Sequence, residues 1–382
     1  MDVGLIGRDG CMVADPVAYR DPDNVKGYKL AVERMGAEDI FLKTGNQVMP
    51  INTLFQLVAL KELYGEEWEK AETILLMPDL FNYMLTGNRT AEETILSTTQ
   101  LFDLKEKTFS REILQRFGIK EGMFPPVVKA GTVVGNTAGG RIEALKGLDV
   151  DVIAVCGPDT ASAVLLTDAF RNSDCLFLSC GTWSLLGGLT DQAVLDVKAF
   201  EKSLTNELGY DSRNMLFKNI TGLYLLEKFR RQMGERLGAV PDFDEITDYV
   251  RRDRSASVII DIEEPDFGEE DTDAKEAIDA YLRRTGQPLP KEDMGYFKVI
   301  YESLVQKYAE TVEAIQTVSG KAYNALHMIG GGAKSPLLCQ MIADTISLPV
   351  TAGPFEATAL GNILIQLVAL GELDSMESGL RL

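Results

Sequence analysis

Histidine is the residue this chain has least of: His327 stands alone among 382 residues. A site built on several histidine ligands is excluded by count, and a Ser-His-Asp or Cys-His device would have this one imidazole to use. His327 falls in the apolar segment NALHMIGGG, where a core histidine is the expectation. Cysteine is scarce too. The five residues Cys11, Cys156, Cys175, Cys180 and Cys339 are odd in number and lack CxxC spacing, which argues for reduced, mostly buried thiols. No apolar run reaches the roughly 18 residues of a membrane helix. The first residues carry no basic segment ahead of an apolar signal core, so a soluble cytoplasmic protein without a membrane partner is expected. Positive charge is the last shortage. Lys and Arg number 38 against 58 Asp and Glu, a net charge of −20 with no basic cluster, which disfavours nucleic acid. Chemistry here must rest on carboxylates, hydroxyls and backbone amides.

What is present is ordinary globular material, 45% hydrophobic and 25% charged, long enough for two or three domains. The opening DVGLIGRDGCMVADPVAYRDP reads as strand, Asp9-Gly10 turn, strand. Such a ribbon needs later strands to adopt it, unless the sequence lacks an upstream segment. Residues 50–118 read as mainly helical, with Asn52 or Thr53 capping INTLFQLVALKELYG, Pro78 at a first helical position and Gly87 at a stop. Gly and Pro crowd residues 118–147. Beyond them strands and helices alternate: strand 150–155, helix 160–170, a strand pair around Gly181, and a helix near 219–234. A solvated acidic connection, DIEEPDFGEEDTD, precedes a long amphipathic helix over 295–319. The end reads strand 326–329, helix 336–346, strand 348–352, helix 356–370. This pattern predicts an α/β protein of two domains joined near 160–175.

Three stretches could carry chemistry. CGPDTASAV, residues 156–164, ends a buried strand on a Gly-Pro turn and puts Asp159 where a helix begins. Asp159 is either a plain N-cap or a base at the carboxyl end of a strand, placed to take a proton from a substrate hydroxyl. LFLSCGTWSLLGG, residues 176–188, is either a plain hairpin or one that offers amides and the Thr182 and Ser184 hydroxyls to a phosphate. In HMIGGGAKSPLLCQMIADT, Gly330, Gly331 and Gly332 lie between strand and helix, where a ligand can approach the backbone. No Gly-Lys-Ser/Thr follows, and Ser335 stands where a dinucleotide fingerprint needs its third glycine. An NAD-dependent dehydrogenase is therefore a distant alternative.

Taken in order, CGPDTASAV, SCGTWSLLG, KNITGLYLLEKFR, MIGGGAKSPLLCQMIADTISLPVTAGPFEATALGNILIQLVALGEL and the earlier TGNQVMPINTLFQLVAL resemble the FGGY carbohydrate kinases over almost the whole chain. Within that family the similarity is greatest to members acting on L-rhamnulose. The resemblance implies a two-domain, actin-like (ribonuclease H-like) fold, with a sugar-binding domain over 1–165 and a nucleotide-binding domain over 166–382. It implies ATP with Mg²⁺, and transfer of the γ-phosphoryl group to the C1 hydroxyl of the ketose, with monomer and homodimer both open. By the same resemblance Asp159 matches the catalytic base, and Pro158 stands where members commonly carry a sugar-contacting His. Thr182 matches a residue at the nucleotide phosphates, Asn219 and Glu227 positions at the nucleotide, and Gly330 to Gly332 the turn under the adenosine. Glu227 replaces a common Gln, adding a negative charge. Nothing corresponds to the family's opening Gly-rich hairpin with its acidic residue for Mg²⁺ and phosphates, so a first domain short of its N-terminal part is expected. A catalytically impaired nucleotide-binding remnant is the alternative this leaves.

Overall fold

The computed structural model describes residues 2–269 and 271–381. They form two compact units: Met1–Leu166 with Leu189–Leu216 and Thr358–Leu382, and Thr167–Gly188 with Phe217–Ala357. The sequence places one boundary at 165/166; in the structure residues 189–216 and 358–382 also pack with the first unit. For 189–216 the reason is long-range bonding that no local pattern reveals. Asn46 donates to the Asn206 carbonyl (2.8 Å), and the Leu208 amide donates to Ser97 Oγ (2.8 Å).

In the first unit, β1 (Val3–Gly7) is buried at every position. It is followed by α1 (Pro22–Met35), capped by Asp21 with proline in its first turn, and α2 (Thr53–Leu63) with Asn52 before it. A Cβ at Gly27 of α1 would collide with the Phe55 carbonyl and come within 2.9 Å of the Ala59 amide, so the two helices cross backbone to backbone there. β2 (Ala71–Leu76) pairs antiparallel with β1, Val3 opposite Leu76, while the second strand expected after the Asp9-Gly10 turn is reduced to one bridge between Ile6 and Met12. The sequence reading missed β2, because the short apolar run TILL is not separable from a buried helix by periodicity. α3 (Met77–Thr86) has proline in its first turn and ends on left-handed Gly87 (φ 77). α4 (Glu93–Leu96) is a single buried turn. β3 (Val133–Asn136) and β4 (Asp151–Ile153) pair antiparallel, and the chain then reaches α5 (Asp159–Val164). Leu54, Phe55, Phe102 and Phe117 fill the core beneath. The single helix expected over 160–170 is interrupted, because Thr167 is extended (φ −90, ψ 158).

In the second unit, β5 (Cys175–Cys180) and β6 (Trp183–Thr190) form the expected hairpin. β7 (Asn214–Thr221) leads into α6 (Tyr224–Leu237), so residues read as the start of a helix at 219 finish a strand. α7 (Met294–Ser319) is the long helix the periodicity predicts. β8 (Ala325–Ile329), α8 (Pro336–Ile346) and β9 (Val350–Ala352) follow, and α9 (Ala357–Ala369) belongs to the first unit from Thr358 onward. The order β7-β6-β5-β8-β9 runs through one sheet, with β8 parallel to both β5 and β9. The acidic segment before α7 is not simply a solvated connection, since Ile262 and Phe267 are buried there. His327 is a core residue: Nδ1 accepts the Asp168 amide (2.9 Å), and Nε2 meets the Gly353 carbonyl. All five cysteines are free, with Cys156, Cys175 and Cys180 buried and Cys11 exposed. Among the described residues no helix is long and apolar enough to cross a membrane.

Candidate functional site

Within the first unit, the turn ahead of α5 presents an acid to solvent. Pro158, extended (φ −69, ψ 129), occupies the N-cap position and Asp159 is the first helical residue. Asp159 therefore does not cap its helix as an Asp N-cap does. Its Oδ1 takes the Thr160 amide at 2.7 Å and the Thr160 hydroxyl at 3.3 Å, and the residue is exposed. A carboxylate held by its immediate neighbour and open to solvent has an oxygen to offer an incoming hydroxyl.

Behind this turn lie carboxyls that the sequence reading did not single out. Glu92 is fully enclosed. Its Oε1 accepts the Thr94 amide (3.0 Å), and its Oε2 accepts the Thr94 hydroxyl (2.5 Å), the Ile95 amide (3.1 Å) and the Gly157 amide (3.1 Å). Burial pushes Glu92 up to about 7 against the pull of these donors, Thr94 foremost. Asp79, on α3, accepts the Glu92 amide at 3.1 Å through Oδ1, while its buried Oδ2 has no partner among the described residues. Burial first and the Glu92 charge second push it up to about 8. Glu207 is pushed up to about 8 by burial, with the Asp159 charge adding to the rise. The only sequence signal for this group was AEET, an acid ahead of a short helical turn.

Within the second unit, three segments converge on the β5–β6 tip. The Gly222 amide donates to the Thr182 carbonyl (3.1 Å), and the Leu223 amide donates to the Gly181 carbonyl (2.9 Å), which ties the end of β7 to the hairpin. A Cβ at Gly222 would meet the Gly181 carbonyl and Ser184 Oγ at 2.6 Å. From the other side Gly330 (φ +83) leaves 2.8 Å between such a Cβ and the Cys180 carbonyl, and Gly332 leaves 2.9 Å to Cys180 Cβ. Glycine is needed at both for close approach, and at Gly330 also for its left-handed backbone. Gly331 is exposed, with nothing within 4 Å of a Cβ placed there. The Thr182 side chain is exposed at the tip and Asn219 is half-buried on β7. Glu227 is exposed on the first turn of α6 and pairs with Arg230 at 3.4 Å, so its charge is partly offset. Tyr301 of α7 feels both Glu227 and Arg230; burial pushes its phenol up to about 12 while a bond to Ser335 pulls it down. Beneath the tip the Tyr308 and Ser184 hydroxyls are 2.6 Å apart, with Cys180 Sγ 3.5 Å from Tyr308.

The open glycine turn beside an exposed hydroxyl fits a nucleotide: it leaves backbone amides and room where side chains would intrude. For a metal the fit is poorer. Among the described residues no group of three or more His, Cys, Asp or Glu could hold an ion.

Comparison with known proteins finds two consecutive family domains along the chain. The N-terminal domain of the FGGY family of carbohydrate kinases matches residues 17–165, and its C-terminal domain matches residues 176–370. A rhamnulokinase of Bacteroides thetaiotaomicron is 37% identical over 97% of this chain and 75% of its own length. One of Halalkalibacterium halodurans is 32% identical over 100% and 80%. Among solved structures, a xylulose kinase of Lactobacillus acidophilus superposes with a TM-score of 0.79 at 18% identity, covering 99% of this chain and 75% of that one. Plasmodium falciparum glycerol kinase with ADP gives 0.80 at 17%, covering 100% and 75%. The fold is that of the two-domain, actin-like sugar kinases, and the dehydrogenase alternative falls away. The chain belongs to the FGGY family of carbohydrate kinases.

Proposed function

We propose that this chain encodes an ATP-dependent ketose kinase, with L-rhamnulose the substrate and L-rhamnulose 1-phosphate the product. The observation that carries this reading is Asp159. It is an exposed acid at the start of a buried helix whose cap position another residue fills, inside a chain whose relatives at 31 to 37% identity are rhamnulokinases. Asp159 takes the proton of the C1 hydroxyl as its oxygen bonds to the γ-phosphorus of ATP. The bond from that phosphorus to the β,γ-bridging oxygen breaks, and ADP departs. The Thr182 hydroxyl and the hairpin amides bind phosphate oxygens. Gly330 to Gly332 leave room for the adenosine, with Asn219 and Glu227 beside it. Pro158 borders the sugar where family members offer a polar contact, which makes ketose recognition here rest more on shape.

Mg²⁺, arriving with ATP, would neutralise phosphate charge. A nucleotide-borne ion needs only one or two carboxylates. Work without a nucleic-acid partner fits the net charge of −20. The test is ADP release, followed by a coupled assay, with L-rhamnulose, L-fuculose, xylulose and glycerol. Stimulation strongest with L-rhamnulose supports the reading. ADP release that no sugar stimulates would sink it.

A further inference from the structure

We propose that Glu92 is a positioning residue for the base: its carboxylate fixes the Gly157-Pro158-Asp159 turn and so sets where Asp159 meets the sugar hydroxyl. The inference rests on the kinase reading above and goes beyond it by naming what holds the base. Four donors converge on Glu92, three of them from its own turn, Thr94 and Ile95. The fourth comes from 65 residues away, the amide of Gly157, at 3.1 Å. That amide is shared with Thr94 Oγ1 at 3.1 Å, and Thr94 Oγ1 in turn donates to Glu92. Gly157 is forced against the same turn: a Cβ there would lie 2.5 Å from Ile95 Cβ.

The turn carrying the base is thus seated on the Glu92–Ile95 turn by one carboxyl acceptor and one glycine contact, two residues before Asp159. Among the described residues Asp159 takes its hydrogen bonds from Thr160, so the orientation of the base depends on what holds the turn. A hydrogen bond to a carboxylate is stronger than one between neutral groups. A displacement of about 1 Å at a reacting group can cost ~100-fold in rate.

The experiment uses Glu92→Gln, which keeps volume but turns an NH₂ donor toward donors. Thr94→Ala serves as a second, gentler variant, and each is also made in an Asp159→Asn background. We expect Glu92→Gln to lower kcat about 10- to 100-fold with KM for ATP unchanged. Amide exchange should quicken across residues 154–160 but not across 176–188. Thr94→Ala should do the same to a lesser degree. In the Asp159→Asn background neither change should lower the residual rate further, since a residue acting through the base has nothing left to position. Unchanged exchange at 154–160 overturns the proposal whatever the turnover. So does a kcat loss that persists undiminished when Asp159 is Asn, which would mark Glu92 as merely structural. If instead Asp159→Asn turns over as the parent does, the assignment of the base is what fails.

Discussion

Three adjacent glycines make different demands on the structure. Gly332 has no space for a methyl group, Cys180 being in the way, whereas Gly331 faces nothing within 4 Å. Gly332→Ala should destabilise the second unit by about 1–3 kcal/mol through overpacking and weaken ATP binding. Gly331→Ala should leave stability within ~0.5 kcal/mol. Urea unfolding and ATP titration of the two variants side by side check this. The glycine run was legible in the sequence because strand, glycines and helix follow one another directly. Asp159 was legible for the same reason, its strand, turn and helix all lying within one short stretch. Glu92 was not. Its partner Gly157 is remote in sequence, and an acid before a helical turn reads as an N-cap, which Glu92 also is.

At the scale of elements, the hairpin β5–β6 owes its tip to what lies beneath it. Tyr308 reaches from α7 to Ser184, and both are buried. Tyr308→Phe removes one buried hydroxyl and leaves Ser184 with its weaker contact to Cys180 Sγ (3.7 Å). We expect a loss of about 1 kcal/mol and a higher KM for ATP, with kcat for the ketose little altered. Steady-state kinetics at varied ATP decides it. Long elements with a strong period, such as α7, were readable from residue spacing. The buried runs Thr73–Leu76 of β2 and Asn214–Phe217 of β7 were not, since consecutive buried residues show no alternation to detect. The helix expected over 160–170 carries the apolar pattern throughout, and only the extended backbone at Thr167 divides it.

At the scale of the whole molecule, buried acids set the response to pH. Asp79 and Glu207 are both pushed up to about 8 by burial. In the unfolded chain such groups lose their protons near pH ~4, while the folded chain keeps them until about pH 8. Over that window the folded state binds more protons. The stability these groups contribute is therefore whole below about pH 4 and is lost as the pH rises through about 8. Unfolding midpoints in urea should fall between pH ~6 and ~8.5, and Asp79→Asn should flatten that fall. A slope unchanged by the substitution would mean that Asp79 is ionised in the folded chain. The division into two units was only partly legible, because residues 189–216 and 358–382 return to the first unit through contacts far apart in sequence.

The central claim is that Asp159 removes the proton from the ketose hydroxyl. L-rhamnulose-dependent ADP release by the parent and by Asp159→Asn at saturating ATP, with ATP binding measured on both, tests it most directly. The account predicts equal ATP affinity and a rate lower by about 10²- to 10⁴-fold in the variant. An Asp159→Asn protein that binds ATP and phosphorylates the sugar at the parent's rate would contradict it.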